Sequence, residues 1–266
     1  MKKDNKYNQR IGEEKLNKQG CLMKIVEYNN AIDIVVEFQD EYKIKVHTTY
    51  NHFKNGGVKN PYCPSVFGVG IVGIKYPVKI NGKTTKEYMV WSGILDRCFI
   101  DHSGDVRTRT YQDAVCCDEW IYYENFYEWL HKQDNFDKWY NNEKWHIDKD
   151  ILVKGNKIYS PETCCLVPDN VNTLLIKCDN SRGKYPLGVN YNIAVKKYSA
   201  RMSKHNEKTK YREHIGYYDT PEQAFKAYKK RKESYIKQVA QDEYDKGNIT
   251  KPCYEAMMKY EVEITD

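Results

Sequence analysis

Two carboxylates placed two residues apart, Asp148 and Asp150, are the side chains of this sequence best suited to chemistry. The run from Ile147 to Val153 is rich in β-branched residues and predicts a strand, in which this spacing puts both carboxylates on one face. Asn172 follows on a segment that can form a short helix. A hairpin that carries carboxylates beside a helix that carries an amide can hold one hard divalent cation against a phosphate. Such an arrangement would suit a nuclease.

Two basic side chains accompany the carboxylates. His146 lies two residues before Asp148 and would share its strand face, where an imidazole can act as general base for water. The alternative is that His146 is simply a surface residue. Lys149 can act as a base only if its pKa is lowered by several units, and contact with a phosphate is the other role open to it.

The N-terminal part predicts a small β-module. Short β-branched runs at 22–28, 32–38 and 42–50 read as an antiparallel meander, and the Gly- and Pro-rich stretch 58–78 predicts a structured loop. The lysines of this module either contact phosphate or form a solvated face of the sheet. The sequence leaves both interpretations open.

Two helices are predicted between this module and the carboxylates. Apolar residues from Lys86 to Phe99 recur at spacings of three and four, and a second helix begins near Asp118. The second helix has a broad aromatic face, which is either a core or a platform for stacking bases. Its members are Trp120, Tyr123, Phe126, Tyr127, Trp129 and Leu130.

The C-terminal part predicts three strands followed by a helix. The strands span 188–194, 198–203 and 210–218. Thr220 is suited to cap the helix, with Pro221 at its first position and Gln223 completing a capping box.

Positive charge is concentrated on these strands. The chain has a formal net charge of +6, but the stretch 184–212 contains eight basic residues and one acidic residue, Glu207. Such a patch favours a polyanionic partner. The basic residues are Lys184, Lys196, Lys197, Arg201, Lys204, Lys208, Lys210 and Arg212.

Composition narrows the class of protein. A chain of 266 residues is long enough for one to three domains with buried cores. The N-terminus lacks the apolar segment of a signal peptide, and no apolar run approaches the roughly 18 residues that span a bilayer.

Nine cysteines without any C-x-x-C pair favour a reduced, soluble, cytosolic protein. A structural zinc on Cys98, Cys117 and Cys164 is conceivable but is disfavoured by the same lack of C-x-x-C pairs.

Residues 184–240 resemble the AP2-type DNA-binding domain, most clearly in Gly-Tyr-Tyr-Asp-Thr-Pro-Glu-Gln-Ala at 216–224. That family places a three-stranded antiparallel sheet in the major groove of DNA and braces it with one helix. The alternative is a solvated basic sheet. By resemblance, the candidate DNA-contacting residues are Tyr191, Lys196, Lys197, Arg201, Lys204, Lys210 and Arg212.

Residues 86–178 resemble the phage-encoded HNH endonucleases, often homing enzymes, that commonly carry an AP2 module behind them. The matching text includes Val-Trp-Ser-Gly-Ile-Leu-Asp-Arg-Cys at 90–98 and the stretch 148–168. The resemblance implies a ββα-metal core in which Asp148, with Asp150, and Asn172 hold one Mg²⁺ or Mn²⁺ ion.

The sequence departs from the HNH pattern at two positions. The family places a histidine, its general base, directly after the first aspartate, and here that position is Lys149. Tyr159 stands where the family has an asparagine that fixes the loop. His146 or Lys149 would therefore have to assist the attacking water.

Together these observations predict an α+β protein: an N-terminal β-module (1–80), an HNH-like ββα core with preceding helices (81–178) and an AP2-like domain (179–266). The predicted function is a metal-dependent endonuclease that acts on double-stranded DNA in the cytoplasm of a phage's host. One alternative is a catalytically inactive DNA-binding protein, such as a phage regulator or anti-defence factor. Another is a protein-interaction module whose basic sheet meets an acidic partner.

Overall fold

A computed structural model describes residues 9–100, 113–142, 144–175, 184–205 and 210–264. Within these ranges the protein has a mixed α+β fold with several small sheets, as the sequence predicts. The chain divides into two compact units. Unit 1 comprises 1–112 and 118–127, and unit 2 comprises 113–117 and 128–266. The division into three domains stays a prediction, and its boundary at 178 lies outside the described residues.

Unit 1 begins with an antiparallel sheet and a short helix. These are β1 (Glu14–Leu16), β2 (Leu22–Asn30), β3 (Asp33–Phe38), β4 (Lys45–Thr48) and α1 (Tyr50–Lys54). The four strands lie in chain order, and Ile25 pairs with Val36 across β2 and β3. Both side chains are fully buried, because alternate residues of the strands face one core. The predicted meander is confirmed, whereas the sequence did not predict β1 or α1.

The remainder of unit 1 is a small hairpin followed by helices. Its elements are β5 (Lys79–Ile80), β6 (Lys83–Thr84), α2 (Lys86–Phe99), a 3₁₀ turn (Asp118–Ile121) and the start of α3 (Tyr123–His131). The predicted bounds of α2 are confirmed, and Thr85 caps the helix by accepting a hydrogen bond from the Tyr88 backbone N–H. Trp120 and Phe126 are buried and pack edge to face. The aromatic face therefore forms a core there, which disfavours a platform for stacking bases.

A disulfide joins Cys21 and Cys63 within unit 1. It contradicts the expectation that all cysteines are reduced. The cysteine pattern gave no sign of it, because the two partners are 42 residues apart and belong to no recognisable spacing.

Unit 2 contains the predicted site and the predicted basic sheet. Its strands are β7 (Val115–Cys116), β8 (Trp145–Asp148), β9 (Ile158–Tyr159), β10 (Cys165–Pro168), β11 (Val189–Asn192), β12 (Lys197–His205) and β13 (Lys210–Tyr218). Its further helices are α4 (Phe136–Asn141), α5 (Asp169–Leu175), α6 (Pro221–Asp245) and α7 (Lys251–Met258). β8 pairs antiparallel with β10, β7 pairs parallel with β9, and β11, β12 and β13 form an antiparallel sheet.

One hydrophobic cluster joins several of these elements of unit 2. Val167 and Val171, from β10 and α5, belong to the same cluster as Ala200 and Met202 from β12. Helix α6 contributes Ile236, which is fully buried. No helix in the described ranges is both long enough and apolar enough to cross a membrane.

Candidate functional site

The candidate site is a hairpin followed directly by a helix. In the pairing of β8 with β10, Asp148 lies opposite Cys165 and His146 lies opposite Val167. Residues directly opposite each other in an antiparallel pair share a face, so all four side chains lie on one face of the hairpin. Cys165 and Val167 belong to the cluster that contains Val171 of α5. The helix therefore packs on the face that carries His146 and Asp148.

Strand β8 ends at Asp148, and the predicted strand Ile147–Val153 is wrong in its second half. The Asp148 Oδ1 atom accepts hydrogen bonds from the backbone N–H groups of Asp150 (2.7 Å) and Ile151 (2.9 Å). An aspartate that bonds backbone groups two and three residues ahead forms a turn and stops strand pairing. Asp150 lies beyond this turn, so the two carboxylates do not share a strand face.

Burial acts on the Asp148 carboxyl more strongly than these hydrogen bonds do. Desolvation raises the pKa of Asp148 above its usual value, although the N–H groups of Asp150 and Ile151 act in the opposite direction. Asp148 thus has one oxygen committed to the turn in an environment that disfavours its charge.

Lys149 and Asp150 form an ion pair with each other. Their Nζ and Oδ1 atoms are 2.7 Å apart, and the Lys149 side chain is only 11% exposed. Lys149 also donates to the Asn156 carbonyl (3.2 Å) and lies 5.7 Å from the centre of the Tyr159 ring. Because its ammonium group is enclosed by these partners, Lys149 is poorly placed as a base or as a phosphate contact. The Asp150 carboxylate is likewise paired with Lys149, so binding a cation would require this ion pair to break.

His146 contacts a residue that the sequence interpretation missed. Its Nε2 atom lies 3.1 Å from Oδ1 of Asp169, the first residue of α5, and both side chains remain partly exposed. A carboxylate in this position fixes the orientation of an imidazole, which is what a general base requires. The one sequence signal that could have indicated Asp169 is its position at the start of the helix that directly follows β10.

Asn156 fixes the loop between β8 and β9. Its Nδ2 atom donates to the carbonyl groups of Lys149 (2.8 Å) and Ile158 (2.7 Å), and its Oδ1 atom accepts from the Ile158 N–H (3.2 Å). Tyr159, at the position where the HNH resemblance places an asparagine, is instead buried in β9. The loop-fixing amide is thus present three residues earlier than the resemblance places it, after Gly155, whose φ of 76° suits a tight turn.

Asn172 lies in α5, three residues after Asp169 and therefore on the same side of the helix. Its side chain is half-buried. Among the residues that the structure describes, no group of three or more His, Cys, Asp or Glu side chains is arranged to hold a metal ion.

The basic sheet has two different faces. Ala200 and Met202 of β12 are buried beneath α6, and the alternating residues Arg201 and Ser203 are exposed. The pairing with β13 places His214 opposite Arg201 and Arg212 opposite Ser203. We call this outer side the exposed face; it also includes Asn190, Asn192 and Tyr217.

Two of the predicted DNA-contacting residues, Lys204 and Tyr191, lie on the opposite side of the sheet, where Tyr191 is still 41% exposed. Lys204 pairs with Glu213 at 2.7 Å and lies 5.2 Å from the ring of Tyr235 on α6. Tyr191 pairs with Tyr198, whose ring belongs to the margin of the core. Strand alternation sends every second side chain to this side, so neither residue belongs to the exposed face, and their contact with DNA stays a prediction.

The other predicted contacts divide into paired and unpaired cations. Lys197 forms an ion pair with Asp219 at 3.1 Å. Within the described ranges, no carboxylate forms an ion pair with Arg201 or Arg212. Lys196 is exposed in the turn before β12, and the side chain of Lys210 lies outside what the structure describes.

Comparison of the chain with protein-family models, with curated proteins and with solved structures finds no match. The AP2 and HNH resemblances therefore stay hypotheses. The assignment of function depends on the geometry of the exposed face and of the hairpin with α5.

Cysteine side chains near the hairpin are buried thiols. Burial raises the pKa of Cys164 to about 12. A hydrogen bond with Cys253 raises the pKa of Cys165, and burial acts in the same direction. Since the thiolate is the form that binds metals and attacks electrophiles, these side chains are suited to packing rather than to chemistry.

Proposed function

We propose that this protein binds double-stranded DNA through the exposed face of the sheet β11–β12–β13. The observation that carries the proposal is the pair of exposed arginines, Arg201 and Arg212, without a carboxylate partner among the described residues. Arginine reads guanine in the major groove and also binds phosphate. The side chains of Ser203, His214 and Tyr217 add hydrogen-bonding groups to the same face.

The major groove is the site that this shape supports. A major groove about 12 Å wide admits two neighbouring strands, such as β12 and β13, whereas an undeformed minor groove about 6 Å wide does not. Helix α6 covers the other side of the sheet, where Glu213 accepts a hydrogen bond from Arg231 of the helix at 3.0 Å. A braced sheet presents its side chains in fixed positions, which lowers the entropy lost on binding.

Duplex binding as a function of salt tests the proposal. In Arg201→Met and Arg212→Met, we expect affinity to fall about tenfold each, and the slope of log K against log salt to lose about one unit. Lys251→Met is the matched control, because Lys251 is an exposed cation of α7 in the same unit. Unchanged affinity in both arginine variants would rule out this face. Binding of an acidic peptide in preference to DNA would favour the protein-interaction alternative.

A second function, hydrolysis of the bound DNA, is favoured by the contact between His146 and Asp169. The oriented imidazole lies on the face of the hairpin that also carries Asp148. We propose, following the HNH resemblance, that His146 accepts a proton from the attacking water and that Asp169 holds its ring in place. Lys149 has no part in this step, since it is enclosed by Asp150 and Asn156.

A divalent cation would be held by Asp148 and Asn172, whose oxygens are donors that Mg²⁺ and Mn²⁺ prefer. The fit is partial, because Asp148 Oδ1 serves the turn and Asp150 is paired with Lys149. When bound, such an ion polarises the scissile phosphate and stabilises the leaving oxygen. In this proposal Asp148 would supply a carboxylate oxygen, His146 would orient the water and Asn156 would fix the loop.

Plasmid nicking with and without Mg²⁺ separates the two functions. Metal-dependent nicking that is lost in His146→Ala would support hydrolysis. Tight, salt-sensitive binding without cleavage would leave a DNA-binding protein with an inactive hairpin unit. A phage regulator is one protein of that kind.

A further inference from the structure

The turn between β11 and β12 has an apolar tip. Ile193 is 83% exposed, the most exposed large hydrophobic side chain among the described residues, and Val195 is 45% exposed. Ala194 between them is exposed as well. Single apolar residues on a surface are normal, but three in succession at one tip leave a continuous apolar surface in water.

The tip is held in a defined conformation. Asn192 Oδ1 accepts hydrogen bonds from the backbone N–H groups of Ala194 (3.0 Å) and Val195 (3.2 Å), and Asn192 Nδ2 donates to the Tyr217 hydroxyl at 3.2 Å. These bonds connect the tip to the exposed face, because Asn192 and Tyr217 both belong to it. The apolar surface is therefore a fixed extension of the proposed DNA-binding surface.

Two lysines follow the tip directly. Lys196 is exposed, and Lys197 forms an ion pair with Asp219. Arg201 and Arg212 lie further along the same sheet, on β12 and β13. A lysine beside apolar side chains suits a partner that offers both phosphates and an apolar group. Because the tip continues the exposed face, that partner is the DNA duplex proposed to bind there.

We propose that Ile193 and Val195 contact the 5-methyl group of thymine in the major groove. This methyl is the apolar group that base edges present there, and aliphatic side chains are its usual partners. The inference rests on the proposed DNA binding and adds a preference for sites that contain thymine. Arg201 and Arg212 would supply affinity, and the tip would supply part of the specificity.

Replacement of thymine by uracil removes this methyl and leaves the hydrogen-bonding pattern unchanged. We would measure binding of the whole protein to two AT-rich duplexes of the same sequence, one with thymine and one with uracil. Burial of one methyl group corresponds to about a fourfold change in affinity, so the wild type should bind the uracil duplex at least about fourfold more weakly. The double variant Ile193→Ser with Val195→Ser should bind both duplexes equally.

Ile32→Ser is the matched control, because Ile32 is 79% exposed in the turn between β2 and β3 of unit 1. It should keep the discrimination of the wild type. Equal binding of the two duplexes by the wild type, or discrimination that persists in the double variant, would overturn the inference alone. If the double variant still discriminates between the two duplexes but has a different molar mass in light scattering, the tip mediates self-association instead. That result would overturn the inference. Failure to bind either duplex would overturn the proposed DNA binding as well.

Discussion

Asp148 shows that an aspartate in one sequence context can indicate two different roles, a metal ligand and a turn former. A carboxylate beside β-branched residues suggests a metal ligand on a strand. In the structure the same carboxylate accepts two backbone N–H groups and ends the strand. Both roles use the carboxylate oxygens, so the residue type alone cannot distinguish them. Substitutions that retain or remove the oxygen acceptor can distinguish the two roles.

We expect Asp148→Ala to lower the free energy of unfolding by about 1–3 kcal/mol, because two turn N–H groups lose their acceptor. Asp148→Asn retains an acceptor and should be at least as stable as the wild type at neutral pH. Burial raises the pKa of Asp148, so its favourable contribution is complete below about 3.8 and is lost as pH rises through the raised pKa. The advantage of Asn should therefore grow from acid to neutral pH. Urea titrations at several pH values measure this, and equal destabilisation by Ala and Asn would contradict the turn role.

Phe67 has a backbone conformation that does not suit its side chain. Its φ is 51° and that of Gly68 is 77°, in a turn closed by Val69 N–H and the Val66 carbonyl at 3.1 Å. Positive φ at both central positions favours Asn-Gly. We expect Phe67→Asn to raise the free energy of unfolding by about 1 kcal/mol, because the left-handed conformation costs most residues about that much. Thermal denaturation measures the gain, and Phe67→Ala, which keeps the strain, should show none.

At the scale of residues, the sequence identified some of the residues that form the site better than it identified their contacts. It singled out His146 and Asp148, which do lie on one face, but it missed Asp169 and Asn156. Both missed residues act through space on partners that no periodicity connects: Asp169 on a strand 23 residues earlier, and Asn156 across a loop. Asp and Asn are common in turns and at helix starts, so their presence there does not indicate that they also orient another side chain or fix a loop.

At the scale of elements, local signals predicted α2 and α6 but not the shorter helices α1, α4 and α7. Thr220 caps α6 by accepting a hydrogen bond from the Gln223 N–H, with Pro221 at the first turn as the sequence indicates. The strand predicted over Ile147–Val153 failed because two effects opposed β propensity. Asp148 forms its turn, and Ile151 is buried in the core of unit 2 instead of pairing in a ladder.

Glu243 tests how strongly α5 and α6 are connected. It is 5% exposed and accepts hydrogen bonds from Asn170 of α5, Lys246 and Asn248. Burial acts to raise the pKa of Glu243, but these donors outweigh it and the pKa is lowered. We expect Glu243→Gln to cost about 2 kcal/mol at neutral pH, because charge-assisted hydrogen bonds are lost.

The sign of the pH dependence follows from the lowered pKa. The stabilisation by Glu243 is present above about 4.5 and is lost as pH falls through the lowered value. The difference between wild type and Glu243→Gln should therefore shrink in acid, as measured by urea denaturation. Glu255→Gln is the control, since the exposed pair of Glu255 with Lys251 should contribute less than about 0.5 kcal/mol. A pH-independent difference would count against the charge-assisted network.

At the scale of the whole molecule, the sequence predicted the α+β class but not how the parts share cores. The candidate hairpin and the basic sheet bury residues in one cluster, with Val167 and Met202 as members. Such long-range packing leaves no local trace in a sequence. Within unit 2, the positions of the exposed arginines and of His146 thus depend on the same buried side chains.

The disulfide of unit 1 is a second long-range feature, and its contribution can be measured. Cys21 and Cys63 close a loop with a sequence separation of 42, and a crosslink of that length typically contributes roughly 2–4 kcal/mol. The same segments are also joined by a hydrogen bond from Asn17 Nδ2 to the Val58 carbonyl at 2.9 Å. Because this bond does not depend on the thiols, reduction should weaken unit 1 without abolishing its sheet.

Hydrogen exchange with and without a reductant tests this expectation. Reduction should speed the exchange of the β2 amides by about 30-fold or more, the factor that corresponds to roughly 2 kcal/mol. The double variant Cys21→Ser with Cys63→Ser should exchange at the reduced rate under both conditions. Amides of β12 and β13 provide the control, since neither cysteine lies in unit 2. Protection of β2 that is the same in both redox states would mean that the Asn17 contact and the core around Ile25 hold the strand without help from the crosslink.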